Sequence, residues 1–391
     1  MRRITADIIF SISSKPFSNK VLILEDDGTV LDIVDANNFS SGEIEKLRGA
    51  LVPGFINTHC HIELSHLRNK FDEKTGLGEF LMNVTKHRDE KGEVMLQAIE
   101  DAENEMIENG IVAVGDISNL PLSFKQKAKR NLYYHTFIEL LSFNPENSYR
   151  SFENGKELMN NAKSFGLQVS LAPHAPYTVS PLLLELISKQ CYEDGKPTSF
   201  HMLESNDENE FYLQGSGNYR KLYRELNVPI KFFEPTGKTS LESTLPFINK
   251  EIKTLLVHNT IATVWDMEWA EDIHPNLFWC LCPNANLFIE DRLPEIPLLM
   301  NHVQYLTVGT DSLSSNHQLS ILEELKSIQN KFPEIKLEDM LRWATLYGAI
   351  FLGIDAQFGS FEKGKKPGVN LIEGFTIGNE DLKHTKVRKI I

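Results

Sequence analysis

Apolar and polar positions alternate in short bursts over the first fifty residues, where ADIIFSI, KVLILED and TVLDIVD each read as a strand and Asp26-Asp27-Gly28 reads as a turn. That region predicts a small β unit. From Leu51 the rhythm changes to strand-like runs alternating with helical ones, the pattern of a parallel βα array. Val94, Ala98, Ala102 and Met106 step along one helix, and Gly110 stops it before the strand IVAVGDI. Further strands are predicted at LYYHTFIEL, LQVSLAPH, PTSFHMLE, TLLVHNT, LFWCLCP and VQYLTVGTD, with helical stretches such as SPLLLELISKQCYEDG between them. With the strands that end near His59 and Asp116 these make eight, which predicts an α/β fold of the (β/α)8 TIM-barrel type. After Ile354 short β pieces return, VNLIEGF and the terminal KVRKII, so the two chain ends are expected to combine into one lobe. The division expected is a lobe from 1–50 and 355–391 beside a barrel over 51–354.

The most telling stretch is VPGFINTHCHIELSHL, an apolar strand that ends on two histidines one residue apart. Side chains at i and i+2 of a strand share a face, so His59 and His61 can converge on one ion while Cys60 points away. In a barrel the active site forms at the carboxyl ends of the strands. There His59, His61, Asp116, His174, His201, His258 and Asp311 fall into one cup. Imidazole and carboxylate donors suit zinc, and a catalytic zinc site keeps one position open for water. His59, His61, His201 and Asp311 can supply the protein positions, and the hydroxide such an ion generates would be the nucleophile. Glu204 follows His201 by three residues, just beyond the strand, where it can shuttle a proton as general acid and base. His258 is open to two roles, donor to a developing oxyanion or further ligand. Asp311 can both touch the ion and take a proton from water, and Asp116 is either part of the site or a structural loop acid.

Composition narrows the partners. A net charge of -14 argues against nucleic acid, which is bound through clustered Lys and Arg. No segment offers the roughly 20 consecutive apolar residues of a membrane span. The start, MRRITADIIFSISS, alternates like a strand and has no continuous apolar core of a signal peptide, so a cytoplasmic protein is expected. Cys60, Cys191, Cys280 and Cys282 form no disulfide framework and read as reduced core thiols. A small-molecule ligand is what remains.

The segments VPGFINTHCHIELS, HAPYTVS, HMLE, VHN and GTDS, in that order, resemble the amidohydrolase superfamily, in its branch of cytosine deaminases, S-adenosylhomocysteine deaminases and chlorohydrolases. The resemblance implies one zinc or iron held by His59, His61, His201 and Asp311, with Glu204 and His258 catalytic and His174 lining the substrate pocket. Binuclear relatives carry a lysine at the end of the fourth strand; none stands here, so one metal is implied. The branch also implies a composite β-sandwich from both chain ends, and it admits a homo-oligomer. The longer segment HIELSHLRNKFDEKTGLGEFLMNVTKHR resembles 6-aminodeoxyfutalosine deaminases and chlorohydrolase-like relatives. In that loop Phe71, Phe80 and Leu81 offer either stacking surface or core. One departure is the run GSFEKGKKPGVNLIEG, where Pro367-Gly368 replaces the usual acidic residue and bears on lobe packing.

The expected function is metal-dependent deamination of a purine, nucleoside-like or related nitrogen heterocycle, with ammonia released. Hydrolysis of another leaving group, such as chloride from a triazine-like ring, would use the same water. A catalytically silent barrel is the third reading, since fold alone never proves turnover.

Overall fold

The computed structural model describes residues 1–378 and 380–391. Its centre is eight parallel strands: Phe55–Cys60, Ile111–Ser118, Tyr133–Leu140, Gln168–Pro173, Thr198–Met202, Thr254–His258, Leu277–Leu281 and Leu306–Val308. They fall on the eight predicted runs. The first four bond in sequence order as one sheet and the last four as another. Backbone bonds stitch both seams. The His201 N–H donates to the His174 carbonyl at 2.9 Å, and the N–H groups of Thr310 and Asp311 both donate to the His59 carbonyl at 3.1 Å. The result is a (β/α)8 barrel whose strands are buried on both faces, which is why they read as nearly continuous apolar runs. Two glycines permit its tightest approach. A Cβ on Gly115 would lie 2.5 Å from the Thr58 carbonyl oxygen, and one on Gly309 would lie 2.8 Å from that of His59. The second and eighth strands can therefore close onto the first, directly behind the paired histidines.

Local chemistry fixes the surrounding helices. Pro181–Asp194 starts on Ser180, whose hydroxyl accepts from the Leu183 N–H, carries proline in its first turn and ends on Gly195 at φ 62°. The helix Gly92–Glu108 forms as expected, but its buried stripe is Met95, Ile99, Ala102 and Met106, while Val94 is 48% exposed. A strict stride of four overshoots the turn of about 3.6 residues, so the predicted stripe drifts round the helix.

The chain ends meet beside the barrel. Val369–Glu373 pairs antiparallel with Ala50–Pro53 and with Lys386–Lys389, and Ile8–Ile9 adds to the other edge. A second sheet holds Val30–Asp35, Lys20–Leu24, Arg2–Thr5 and Glu45–Lys46 in that order. The Pro367 carbonyl accepts from the Gly54 N–H at 3.1 Å, so the Pro367-Gly368 departure sits where the lobe strand turns into the barrel. Among the described residues no helix is long and apolar enough to cross a membrane.

Candidate active site

Four sequence-predicted residues converge where the strands end. His61 Nε2 lies 3.0 Å from His59 Nε2 and 3.3 Å from His201 Nε2. Asp311 Oδ1 lies 3.4 Å from His61 Nε2 and 3.6 Å from His59 Nε2. All four side chains are buried. Burial holds the His61 and His201 imidazoles well below their ordinary pKa, so both are neutral at pH 7. His201 Nδ1 bonds the His174 carbonyl at 2.7 Å; that bond takes the ring proton and leaves the Nε2 lone pair facing the cluster. Lone pairs and a carboxylate crowded to these distances repel unless a positive charge stands among them. The donor set therefore fits a metal ion.

Left-handed backbone marks the same rim. Leu203, His258, Asn259 and Asp311 have φ of 51°, 76°, 55° and 55°, conformations that cost non-glycine residues energy and cluster at functional sites. Asp311 Oδ2 accepts from Ser315 Oγ at 2.6 Å, which fixes the carboxylate's orientation. Burial raises the Asp311 carboxyl, and the bond from His59 with the neighbouring imidazoles more than reverses it, so it sits well below the usual range.

Glu204 and His258 face one another across the rim, Oε1 to Nε2 at 3.5 Å. Burial, then the charge of Asp311, holds the Glu204 carboxyl well above its usual pKa. His258 Nδ1 bonds Asn286 Oδ1 at 3.0 Å, and Asn286 Nδ2 donates to Thr260 Oγ1 at 2.7 Å. His258 lies outside the four-donor group. His174 lines the cavity, with Nδ1 2.9 Å from Thr178 Oγ1.

Asp116 does not join the cluster. Its Oδ1 accepts from the Ile62 N–H at 2.9 Å and its Oδ2 lies 2.6 Å from Lys127 Nζ, both side chains fully buried. It ties down the backbone immediately after His61. Lys127 also donates to Ser118 Oγ and Thr136 Oγ1, so its buried ammonium has three oxygens around it.

The cavity over the cluster measures about 190 Å³. One wall is apolar, built by Leu77, Phe80, Leu81 and Val84 of Leu77–His87 with Leu222 and Tyr223 of Asn218–Glu225. Phe71 stands behind this wall, edge-on to Phe80 at 6.0 Å. The other wall carries Arg88, Asn119 and Glu139, which the motif reading passed over. Glu139 could have been found: it is the acid near the carboxyl end of the third barrel strand, where the first strand places its histidines. Burial raises its carboxyl to about 7. Phe80 and Leu81 were read as stacking surface or core and do line the cavity, whereas Arg88, Leu77, Val84, Leu222 and Tyr223 had no such signal, because they belong to loops and helices outside the strand rule.

A model of the amidohydrolase family matches residues 50–390. An adenosine deaminase of Helicobacter pylori is 27% identical over 391 residues, covering 96% of this chain and 92% of that protein. An aminodeoxyfutalosine deaminase of Nitratiruptor sp. is 26% identical over 344 residues, with 85% and 81% covered. Among solved structures, Helicobacter pylori aminofutalosine deaminase in complex with methylthio-coformycin has a TM-score of 0.83 at 22% identity, covering 99% of this chain and 97% of that one. An atrazine chlorohydrolase of Arthrobacter aurescens complexed with zinc has a TM-score of 0.75 at 15% identity, covering 98% and 91%. These structural likenesses speak to the fold, and the family match speaks to descent over the barrel and the carboxy-terminal strands. The chain belongs to the amidohydrolase family.

Proposed function

We propose that this chain is a metal-dependent aminohydrolase that deaminates a purine, nucleoside-like or related nitrogen heterocycle and releases ammonia. The observation that carries the reading is the convergence of His59, His61, His201 and Asp311 beside a carboxyl, Glu204, whose pKa burial raises. The names of the relatives, an adenosine deaminase and an aminodeoxyfutalosine deaminase, support the substrate class. One zinc ion per chain is the cofactor we assign, on the three-imidazole, one-carboxylate donor set. A divalent ion there lowers the pKa of water from 15.7 to about 7.

The chain's own residues manage the protons. Burial favours the protonated form of Glu204, which gives its proton to the ring nitrogen beside the carbon under attack. Asp311 accepts a proton from the attacking water. Water's oxygen bonds to the carbon, Asp311 passes the proton it took to the amine, the carbon–nitrogen bond breaks and ammonia leaves, and the hydroxyl proton of the intermediate returns to Glu204 as the carbonyl forms. Neutral His258 presents the Nε2 lone pair, since Asn286 Oδ1 engages its Nδ1. In that form it accepts a hydrogen bond rather than donating one, and it stands 3.5 Å from Glu204 Oε1 beside the reacting carbon's position. The four cysteines are unpaired and buried, which suits the reducing cytoplasm we assign as the location.

The test is an ammonia-release screen of the zinc-loaded protein against adenosine-type nucleosides, S-adenosylhomocysteine, aminodeoxyfutalosine, guanine and cytosine. Ammonia from one of these is expected. Release of chloride from a chlorotriazine with no ammonia from any amino heterocycle would overturn the reading in favour of halide hydrolysis.

A further inference from the structure

Glu139 is an acid of the cavity wall with a buried oxygen that accepts no hydrogen bond from the protein. Its side chain is 4% exposed. Oε2 accepts from Asn119 Nδ2 at 3.0 Å, whereas Oε1 is buried and accepts no hydrogen bond, with His201 Nδ1 3.8 Å away and already bonded to the His174 carbonyl. An unsatisfied buried acceptor costs about 1–3 kcal/mol, more when charged, and native structures retain few of them. The carboxylate is also braced. The Asn119 and Leu120 N–H groups donate to Glu63 Oε2 at 3.0 and 3.1 Å, and Ser123 Oγ donates to Glu63 Oε1 at 3.1 Å. This second acid therefore holds the loop that holds Glu139.

A second metal does not explain the open oxygen. Glu139, His174 and His201 offer ligand atoms within 4.8 Å of one another, but His201 Nδ1 already bonds the His174 carbonyl. What remains is one carboxylate oxygen and one imidazole nitrogen, too few for a closed zinc site.

The neighbours specify a ligand group. The Asn119 amide sits between Glu139, to which it donates, and Arg88, whose Nη2 reaches Asn119 Oδ1 at 3.5 Å. Arg88 is anchored in turn, its carbonyl bonded by His66 Nε2 at 3.0 Å. The polar wall thus sets an acceptor beside a donor. An amine N–H would satisfy only Glu139, and an anion would be repelled by it. A hydroxyl donates and accepts, and a vicinal pair offers two donors to one carboxylate. We propose that Glu139, held by Asn119 and set beside Arg88, is a specificity-determining residue that accepts hydrogen bonds from the vicinal hydroxyls of a sugar on the heterocycle.

This rests on the deaminase reading, so the experiment separates the two. The kcat/KM of zinc-loaded wild type, Glu139→Ala and Glu139→Gln is measured with adenosine, 2′,3′-dideoxyadenosine and free adenine, alongside adenosine binding by calorimetry. Zinc content and thermal unfolding verify that each variant is folded. Sites built to bind a substrate hydroxyl discriminate by up to ~10⁴–10⁵, so wild type is expected to favour adenosine over the dideoxy compound by ~100-fold or more. In Glu139→Ala that ratio falls below about tenfold through the loss on adenosine, with dideoxyadenosine within about threefold of wild type. Glu139→Gln, which keeps one acceptor oxygen, lies between. A ratio unchanged in Glu139→Ala, or an equal fall on both nucleosides, overturns the role of Glu139. Wild type that deaminates adenine or another free base without favouring the riboside overturns it too, while leaving the deaminase reading intact. No ammonia from any amino heterocycle overturns both.

Discussion

His59, His61, His201 and Asp311 stand at the ends of strands bonded on both sides, whereas Leu77, Phe80, Leu222 and Tyr223 reach the same cavity from two helices that lie over the barrel mouth. The cover has its own apolar cluster, in which Phe143, Phe211, Tyr219 and Tyr223 join Leu77 and Phe80, separate from the cluster that fills the space between barrel and outer helices. The ring of strand ends sets neighbouring donor atoms 3.0 to 3.6 Å apart; the cover supplies shape. Chemistry is therefore expected to be sensitive to the ring, and substrate affinity to the cover.

The largest effect should come from the ring. Glu204→Gln is expected to lower kcat by about 10²–10⁴ with its metal content unchanged, read by steady-state kinetics and metal analysis. Near-full activity in that variant would erase the distinction between ring and cover. Beneath the ring, Lys127→Met leaves Asp116 buried without its partner, and urea unfolding should show a loss of about 3–5 kcal/mol. A cover substitution, Leu222→Ala, is expected to cost about 2–3 kcal/mol, given that Leu222 is almost fully buried. It should raise KM ~10-fold while kcat stays within about twofold, because it removes binding common to ground and transition states. A fall in kcat as large as that of Glu204→Gln would show that the cover positions the chemistry.

The smallest effect is a pH slope. Burial raises Glu324, which accepts from the Asn284 N–H and from Asn316 Nδ2, from 4.5 to about 8. The folded state then binds more protons than the unfolded one between those values, so this group's stabilisation is fullest at low pH and is lost as pH rises towards 8. His135 and His274, lowered by burial to about 3 and about 4, act in the opposite sense below 6.5. Between pH 6.5 and 8 the wild-type Tm should therefore decline with rising pH, and Glu324→Gln should flatten the decline. A steeper slope in the variant would contradict the assignment.

The contrast also explains what the sequence disclosed. The H-x-H pair, His201 with Glu204, His258 and Asp311 were legible because strand periodicity and the carboxyl-end rule place a residue's position and face together. The helix Gly92–Glu108 was legible in extent but not in facing, since four-residue steps and true helical turns diverge within three turns. Lys127 gave no sign of burial, because lysine on a short helix is ordinarily exposed and its partner Asp116 is eleven residues away on a strand. The cover was legible only in part, through Phe80 and Leu81, for a related reason. Its apolar residues have the same pattern as any helix packed on a core, and only the tertiary arrangement shows that the face they present borders a cavity.

The central claim is that His59, His61, His201 and Asp311 hold one divalent ion. Anomalous diffraction at the zinc edge from crystals of the zinc-loaded protein tests it most directly. A single peak within bonding distance of His59 Nε2, His61 Nε2, His201 Nε2 and an Asp311 oxygen is the predicted result; no peak there, or a peak held by other residues, would contradict it.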